Sequence, residues 1–329
     1  MENTMMIALF LASAVRMAVP LLLGTLGESL TERAGNLNLG VEGLMMMGAA
    51  TGFMAAYKTN SILLAIVFGM LGSGFGSLLY AVLTITFRTK QDVTGLALTI
   101  FGTGFANTLC KKLANQNTPA SIRAFAQAQP LHLPMDAIAQ VPVVGPVLQF
   151  MDTALLQHNL FVYLAFFLAV AGWFYLFRTR QGLHLRMIGE NPAAAEAAGI
   201  RVIAGKYIHV IIGGMLCGLA GVYISVINVG TYLENIVAGR GWIVVALVIF
   251  IRWHPLNAIA GSLLFGALEI IGFRLQHVPQ LAGIRIFSQY VIDMYPYIMT
   301  IIVLILTYAR KKAYLGPAAL GAPYFREDR

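Results

Sequence analysis

Two stretches concentrate the side chains that could bind or transmit anything. The first is Glu28-Ser-Leu-Thr-Glu-Arg-Ala-Gly-Asn-Leu-Asn-Leu-Gly-Val-Glu-Gly43, the richest polar run at the depth of the expected membrane helices. Gly35, Gly40 and Gly43, together with Asn36 and Asn38, disfavour a continuous helix. Unwound backbone at membrane depth persists only where it lines a cavity or packs on protein. Freed peptide groups, the Asn36 and Asn38 amides and the Glu42 carboxylate could then hydrogen-bond a polar ligand. The same residues also fit a tight turn between helices, with Glu32 and Arg33 marking a membrane boundary, and the residues alone leave both readings open.

The second stretch is Arg186-Met-Ile-Gly-Glu-Asn-Pro-Ala-Ala-Ala-Glu-Ala-Ala-Gly199. Its spacing predicts a short helix with both ends encoded. Asn191 can accept hydrogen bonds from the first-turn N–H groups, and Pro192 falls where a missing N–H costs nothing. Gly199 suits a left-handed residue just past the end. Between them, five alanines and Glu196 favour helix but offer no large side chain for a core of their own. So short a helix is unstable alone and needs a surface to lie on.

Catalytic machinery is missing from the pattern. His132, His158, His184, His209, His254 and His277 are scattered, and no HExxH, GxSxG or Walker sequence occurs. Glu42, Glu269 and Asp293 could serve an intramembrane enzyme, but no nucleophile or base pairs with them in the sequence. Cys110 and Cys217 form no metal-type spacing and read as packing residues. No metal or cofactor is expected on this chain.

The elements that must position these stretches are membrane helices. Of 329 residues, 58% are hydrophobic and 11% charged, and the mean hydropathy is +0.76. No soluble core hides that much apolar surface, so the expected class is an all-α polytopic membrane protein. Apolar windows fall near 5–23, 39–57, 61–87, 91–110, 159–177, 207–229, 237–252, 256–273 and 289–309, giving about nine crossings (eight to ten), some short or broken. The net charge of +8 comes from residues in short loops, which fits membrane topology rather than nucleic-acid binding. With residues 178–206 cytoplasmic, fourteen of the 22 Lys and Arg lie on that side and seven on the other, Arg16 falling inside the first window. The N-terminus is then outside and the 310–329 tail cytoplasmic. Met1-Glu-Asn-Thr lacks the basic start of a cleaved signal, so the first window is expected to remain as a helix. Arg16 should face protein or water. The proline-rich segment 113–158 reads as an external loop or cap. Gly72 to Gly76 and Gly214 to Gly218 match the small-xxx-small spacing that lets helices approach closely.

Thr31-Glu-Arg-Ala-Gly-Asn-Leu-Asn-Leu-Gly-Val-Glu-Gly-Leu-Met-Met-Met-Gly48 resembles the second-helix signature of permease subunits of bacterial ABC importers, in the ribose and branched-chain amino-acid permease superfamily. It is most similar to the nucleoside branch. Ala238-Gly-Arg-Gly-Trp-Ile243, Trp253-His-Pro-Leu256 and Tyr295-Pro-Tyr-Ile-Met-Thr300 are similar to further blocks of that branch, and the likeness runs from about residue 20 to 310. Gly189 to Gly199 resembles the cytoplasmic loop by which such permeases contact their ATPase.

The resemblance implies a single transmembrane permease domain that pairs with a second permease subunit, identical or homologous. A separate ABC ATPase, with two fused nucleotide-binding domains that bind ATP and Mg, would dock beneath it. A solute-binding lipoprotein would deliver cargo from outside. The expected function is import of a nucleoside or nucleobase-like compound by alternating access, with a simple sugar or a riboflavin-like solute as the alternative. Gly189, Glu190, Asn191, Pro192, Glu196 and Gly199 would couple to the ATPase; Asn36, Asn38, Glu42 and Asn107 would line the path. An ion-coupled transporter using Glu269 or Asp293, or a membrane-embedded enzyme, would lack a use for the capped helix.

Overall fold

The computed structural model describes residues 2–131, 144–275, 294, 298, 301, 302, 305 and 316–325. The first eight apolar windows each contain a helix: α1 (Glu2–Arg33), α2 (Val41–Thr59), α3 (Ile62–Ala81), α4 (Gln91–Cys110), then after two short helices, α5 (Ala120–Gln127) and α6 (Val144–Met151), α7 (Leu160–Arg178). Two short helices, α8 (Arg180–Glu190) and α9 (Pro192–Ala197), lead to α10 (Val202–Val222), the half-length α11 (Arg240–Ile251) and α12 (Pro255–Leu275). Among the described residues six segments are long and apolar enough to cross a membrane, those of α1, α3, α4, α7, α10 and α12. The count of nine is finer than the described residues fix, because the window 289–309 lies almost wholly outside them.

Helix α2, with Glu42 in its first turn and Lys58 in its last, is not among those six yet is largely buried, because it is enclosed by α3, α4, α10 and α11. Glycine makes that enclosure possible. Gly48 of α2 meets Gly218 of α10 backbone to backbone, and Gly221 lies on the Met45–Ala49 turn of α2. Gly218 also packs on Gly69 and Ser73 of α3, so three helices converge where a side chain would hold them apart. A hydroxyl adds to this seam, Ser73 Oγ donating to the Gly214 carbonyl at 2.6 Å. The expected small-residue packing is therefore present, with Gly72 against Thr51 and Gly76 against Met47 and Leu44. Around it lies one continuous apolar core that includes Leu22, Leu44, Phe53, Tyr223 and Val244.

Segment 113–158 is built onto the bundle where it is described. Ala114 bridges to Tyr232 and Asn117 to Thr231, Ser121 Oγ donates to the Asn60 carbonyl at 3.4 Å, and Ile122 of α5 enters the core. The residues 33–40, 179–201, Trp253 and 316–325 gather at the opposite end of the bundle. Arg16 is exposed, with its guanidinium 3.4 Å from Ser13 Oγ on its own helix.

Candidate functional site

At that opposite end the capped helix forms as its residues dictate. Asn191 has non-helical dihedrals (φ −149°, ψ 91°), and its Oδ1 accepts from Ala194 N–H at 2.9 Å, with Pro192 in the first turn of α9. Gly199 is left-handed at φ +81°. Gly199 N–H donates to Glu196 O at 2.8 Å and Ile200 N–H to Ala195 O at 3.0 Å, the paired bonds of a Schellman ending. One face finds the surface that so short a helix needs within this chain. Ala195 is buried in a cluster with Ile188 and Val202, flanked by Met187, Ile200 and Tyr324. The other face, Ala193, Ala194, Ala197 and Ala198, is exposed. Beside it opens a cavity of about 670 Å³ lined by Tyr175, His184, Ile188, Gly199, Arg201 and His209 among others.

Gly189, at the end of α8, touches the end of α1: a Cβ there would collide with the Arg33 carbonyl. Glu190 Oε2 accepts from Ala318 N–H at 3.3 Å, and the Glu196 carboxylate accepts from the Tyr324 hydroxyl. The tail is therefore folded against this loop, a feature that no local pattern in the sequence announced.

The polar run at 28–43 unwinds between α1 and α2, as its glycines and asparagines predict. Residues 34–40 are non-helical, with Gly35 at φ +81°. Three residues from elsewhere fasten the loop. Gln91 Oε1 accepts from Leu37 N–H at 2.7 Å, Tyr80 Oη donates to Leu37 O at 2.6 Å, and Thr99 Oγ1 donates to Leu39 O at 3.0 Å. Asn38 is drawn inward by two bonds: its N–H donates to Glu28 Oε1 at 3.1 Å and its Oδ1 accepts from Gly40 N–H at 2.8 Å. Asn36 is 1% exposed, and neither its Oδ1 nor its Nδ2 has a hydrogen-bond partner among the described residues. Buried amides without partners are rare and call for an explanation. Trp253, in the left-handed turn between α11 and α12, donates its indole N–H to Glu32 Oε2.

Glu42 does something its sequence position conceals. From the first turn of α2 its carboxylate accepts from Gly239 N–H at 2.8 Å and from Gly241 N–H at 2.7 Å, closing the N-terminus of α11. An anion suits that place because the unsatisfied amides and the helix dipole both favour negative charge. Arg240, at the start of the seventh apolar window, opens α11 and pairs with the Glu269 carboxylate of α12. Asn107 lies farther along α4, donating to Asn235 Oδ1 and accepting from Tyr232 Oη, both at 3.2 Å. The four residues Asn36, Asn38, Glu42 and Asn107 thus divide between the two irregular segments 34–40 and 229–239 and do not form one cluster. Among the described residues no group of three or more His, Cys, Asp or Glu could hold a metal ion.

A bundle of apolar helices interrupted by two unwound segments, with a capped helix on one end, is the architecture of an integral membrane protein. The chain belongs to the family described as branched-chain amino acid transport system / permease component, which it matches over residues 10–307. It is accordingly a multi-pass protein of the cell membrane and the permease component of a transport system. It is 33% identical to a putative glucose ABC transporter permease of Haloferax volcanii, covering 96% of this chain and 97% of the relative. It is 32% identical to the nucleoside ABC transporter permease NupC of Lactococcus lactis, over 98% of each chain, and 32% identical to the guanosine ABC transporter permease NupQ of Bacillus subtilis, over 100% of each. No solved structure matches the chain.

Proposed function

We propose that this chain forms the translocation path of an ATP-driven importer for a nucleoside or nucleobase-like solute. The observation that carries the reading is α9: a doubly capped helix with an exposed face of small residues, standing at one end of a chain similar along its whole length to ABC transporter permeases. A separate ABC ATPase, expected as two fused nucleotide-binding domains holding ATP and Mg, docks there, its side chains seated on the alanine face and in the adjoining cavity. Glu190, Asn191, Pro192, Glu196 and Gly199 form that contact, and Gly189, buried against the Arg33 carbonyl, sets the position of the loop that presents them. A second permease subunit completes the path, and an extracytoplasmic solute-binding lipoprotein delivers the solute. In this orientation the N-terminus lies outside, 113–158 forms the external cap and the tail is cytoplasmic, as the basic-residue bias favours.

The path runs beside the two unwound segments. Asn36 and Asn107 offer amide donors and acceptors suited to ribose hydroxyls or base edges, while Asn38 and Glu42 hold the bordering backbone in shape. The nucleoside assignment draws on two of the three full-length relatives; the glucose permease relative supports the second reading, a simple sugar on the same machine. An ion-coupled mechanism through Glu269 is disfavoured by its pairing with Arg240, and Asp293, the other carboxylate of that alternative, lies outside the described residues.

The test is reconstitution of the permease with its ATPase and binding protein in proteoliposomes. ATP-dependent uptake of labelled guanosine, competed by nucleosides and not by glucose, is the expected outcome. Uptake driven by an ion gradient without ATP would overturn the mechanism, and uptake of glucose alone would overturn the solute.

A further inference from the structure

Residues 316–325 are a folded strap joining every part of the end that carries α9. Pro317 and Pro323 restrict its backbone, and turn bonds from Leu320 N–H to Pro317 O at 3.0 Å and from Ala322 N–H to Ala319 O at 3.2 Å hold it compact. From this turn, Ala319 N–H donates to Gly189 O at 2.9 Å and Gly321 N–H donates to Gly35 O at 3.3 Å. Two amides only two residues apart thus tie the end of α8 to the unwound segment 34–40. The Tyr324 hydroxyl donates to the Glu196 carboxylate on α9, and its ring packs on the Ile188, Ala195 and Val202 cluster. At the strap's other end Gly316 lies against the Trp253 indole, whose N–H holds Glu32. The Arg88 guanidinium stacks over Phe325, 4.5 Å from the ring centre, which adds the loop between α3 and α4.

We propose that this strap transmits movement of α9 to the unwound segment 34–40 and to the start of α12, with Tyr324 as its principal positioning residue. The physical need is plain. Helix α9 has six residues and one buried alanine, so it reaches the path only through what grips it, and the strap grips both partners at once. A hydrogen bond to a charged carboxylate biases a two-state equilibrium by roughly tenfold or more, which suffices to make two small elements move together. The inference rests on the reading of α9 as the ATPase contact.

The test uses two variants, a chain ending at residue 315 and the milder full-length Tyr324→Phe, each compared with wild type. In the first arm, amide hydrogen exchange of the purified permease is followed. The expected result is about tenfold faster exchange in 34–40 and in 189–199 together, with the amides of α2 and α10 unchanged. Unchanged exchange in both segments, or uniform loss of protection across the bundle, overturns the link. In the second arm, guanosine uptake and ATP hydrolysis are measured in the same proteoliposomes. The expected result is retained ATPase binding and hydrolysis with severalfold less uptake per ATP, larger for the truncation than for Tyr324→Phe. An unchanged ratio overturns transmission. Absence of ATP-dependent uptake by the wild type would instead refute the transport reading, and the exchange arm would still decide whether the strap joins the two segments.

Discussion

Glu42 shows how far one side chain's role depends on what faces it. Its two oxygens meet two backbone N–H groups of α11, an interaction a carboxamide cannot reproduce because its NH2 would face a donor. Glu42→Gln is expected to lower stability by about 1–3 kcal/mol, read as a reduced unfolding temperature in detergent, and to slow uptake by loosening α11. Asn36→Ala should behave in the opposite way: with no side-chain hydrogen bond among the described residues to lose, the variant should unfold at the wild-type temperature while uptake falls. Wild-type uptake would remove Asn36 from the path. His254, outside the spans with its ring tilted against Phe177, is held below its usual value of 6.5 by burial and by the nearby Arg33 charge. A histidine whose folded form resists protonation contributes stability above its unfolded pKa and loses it as pH falls. The unfolding temperature should therefore drop as pH falls through about 6.5, and His254→Gln should flatten that dependence.

Two elements carry the mechanics, the capped helix α9 and the glycine seam of α2 with α10. In α9 the caps can be weakened without disturbing the bundle. A Cβ at Gly199 meets nothing within 4 Å, so Gly199→Val costs only the strain of a left-handed β-branched residue. Asn191→Ala removes about 1 kcal/mol of capping. The double variant should insert and fold normally yet lose transport-coupled ATPase activity severalfold; wild-type coupling would show that helix order there is dispensable. The seam is the reverse case. Gly48→Val forces a side chain onto the Gly218 backbone, where no rotamer change relieves it, and should yield a protein that fails to elute as a single species in detergent.

For the whole molecule, the two ends of the bundle separate Lys58 from Arg201, both exposed, and Cys110 and Cys217 are buried. Lys58→Cys should react with a membrane-impermeant maleimide on intact cells, whereas Arg201→Cys should react only after permeabilisation. The reverse pattern would invert the proposed topology.

The sequence by itself determined the class, because an excess of apolar residues in windows of about 20 has no other stable solution than membrane helices. It also determined both ends of α9 and the unwinding at 34–40, since capping by Asn191 and Gly199 and helix breaking by Gly35 and Gly40 are local effects of backbone conformation. Tertiary structure decided what these local features face. Asn38 and Glu42 read as equivalent polar residues, yet one closes its own loop and the other caps a helix almost 200 positions away. Glu269 read as a free carboxylate until α11 brought Arg240 to it. The tail read as an appendage, and its backbone amides tie α8 to the segment between α1 and α2. Such pairings join residues distant in the chain through groups every residue carries, so no local pattern encodes them. They exist only once close glycine contacts have brought the helices together.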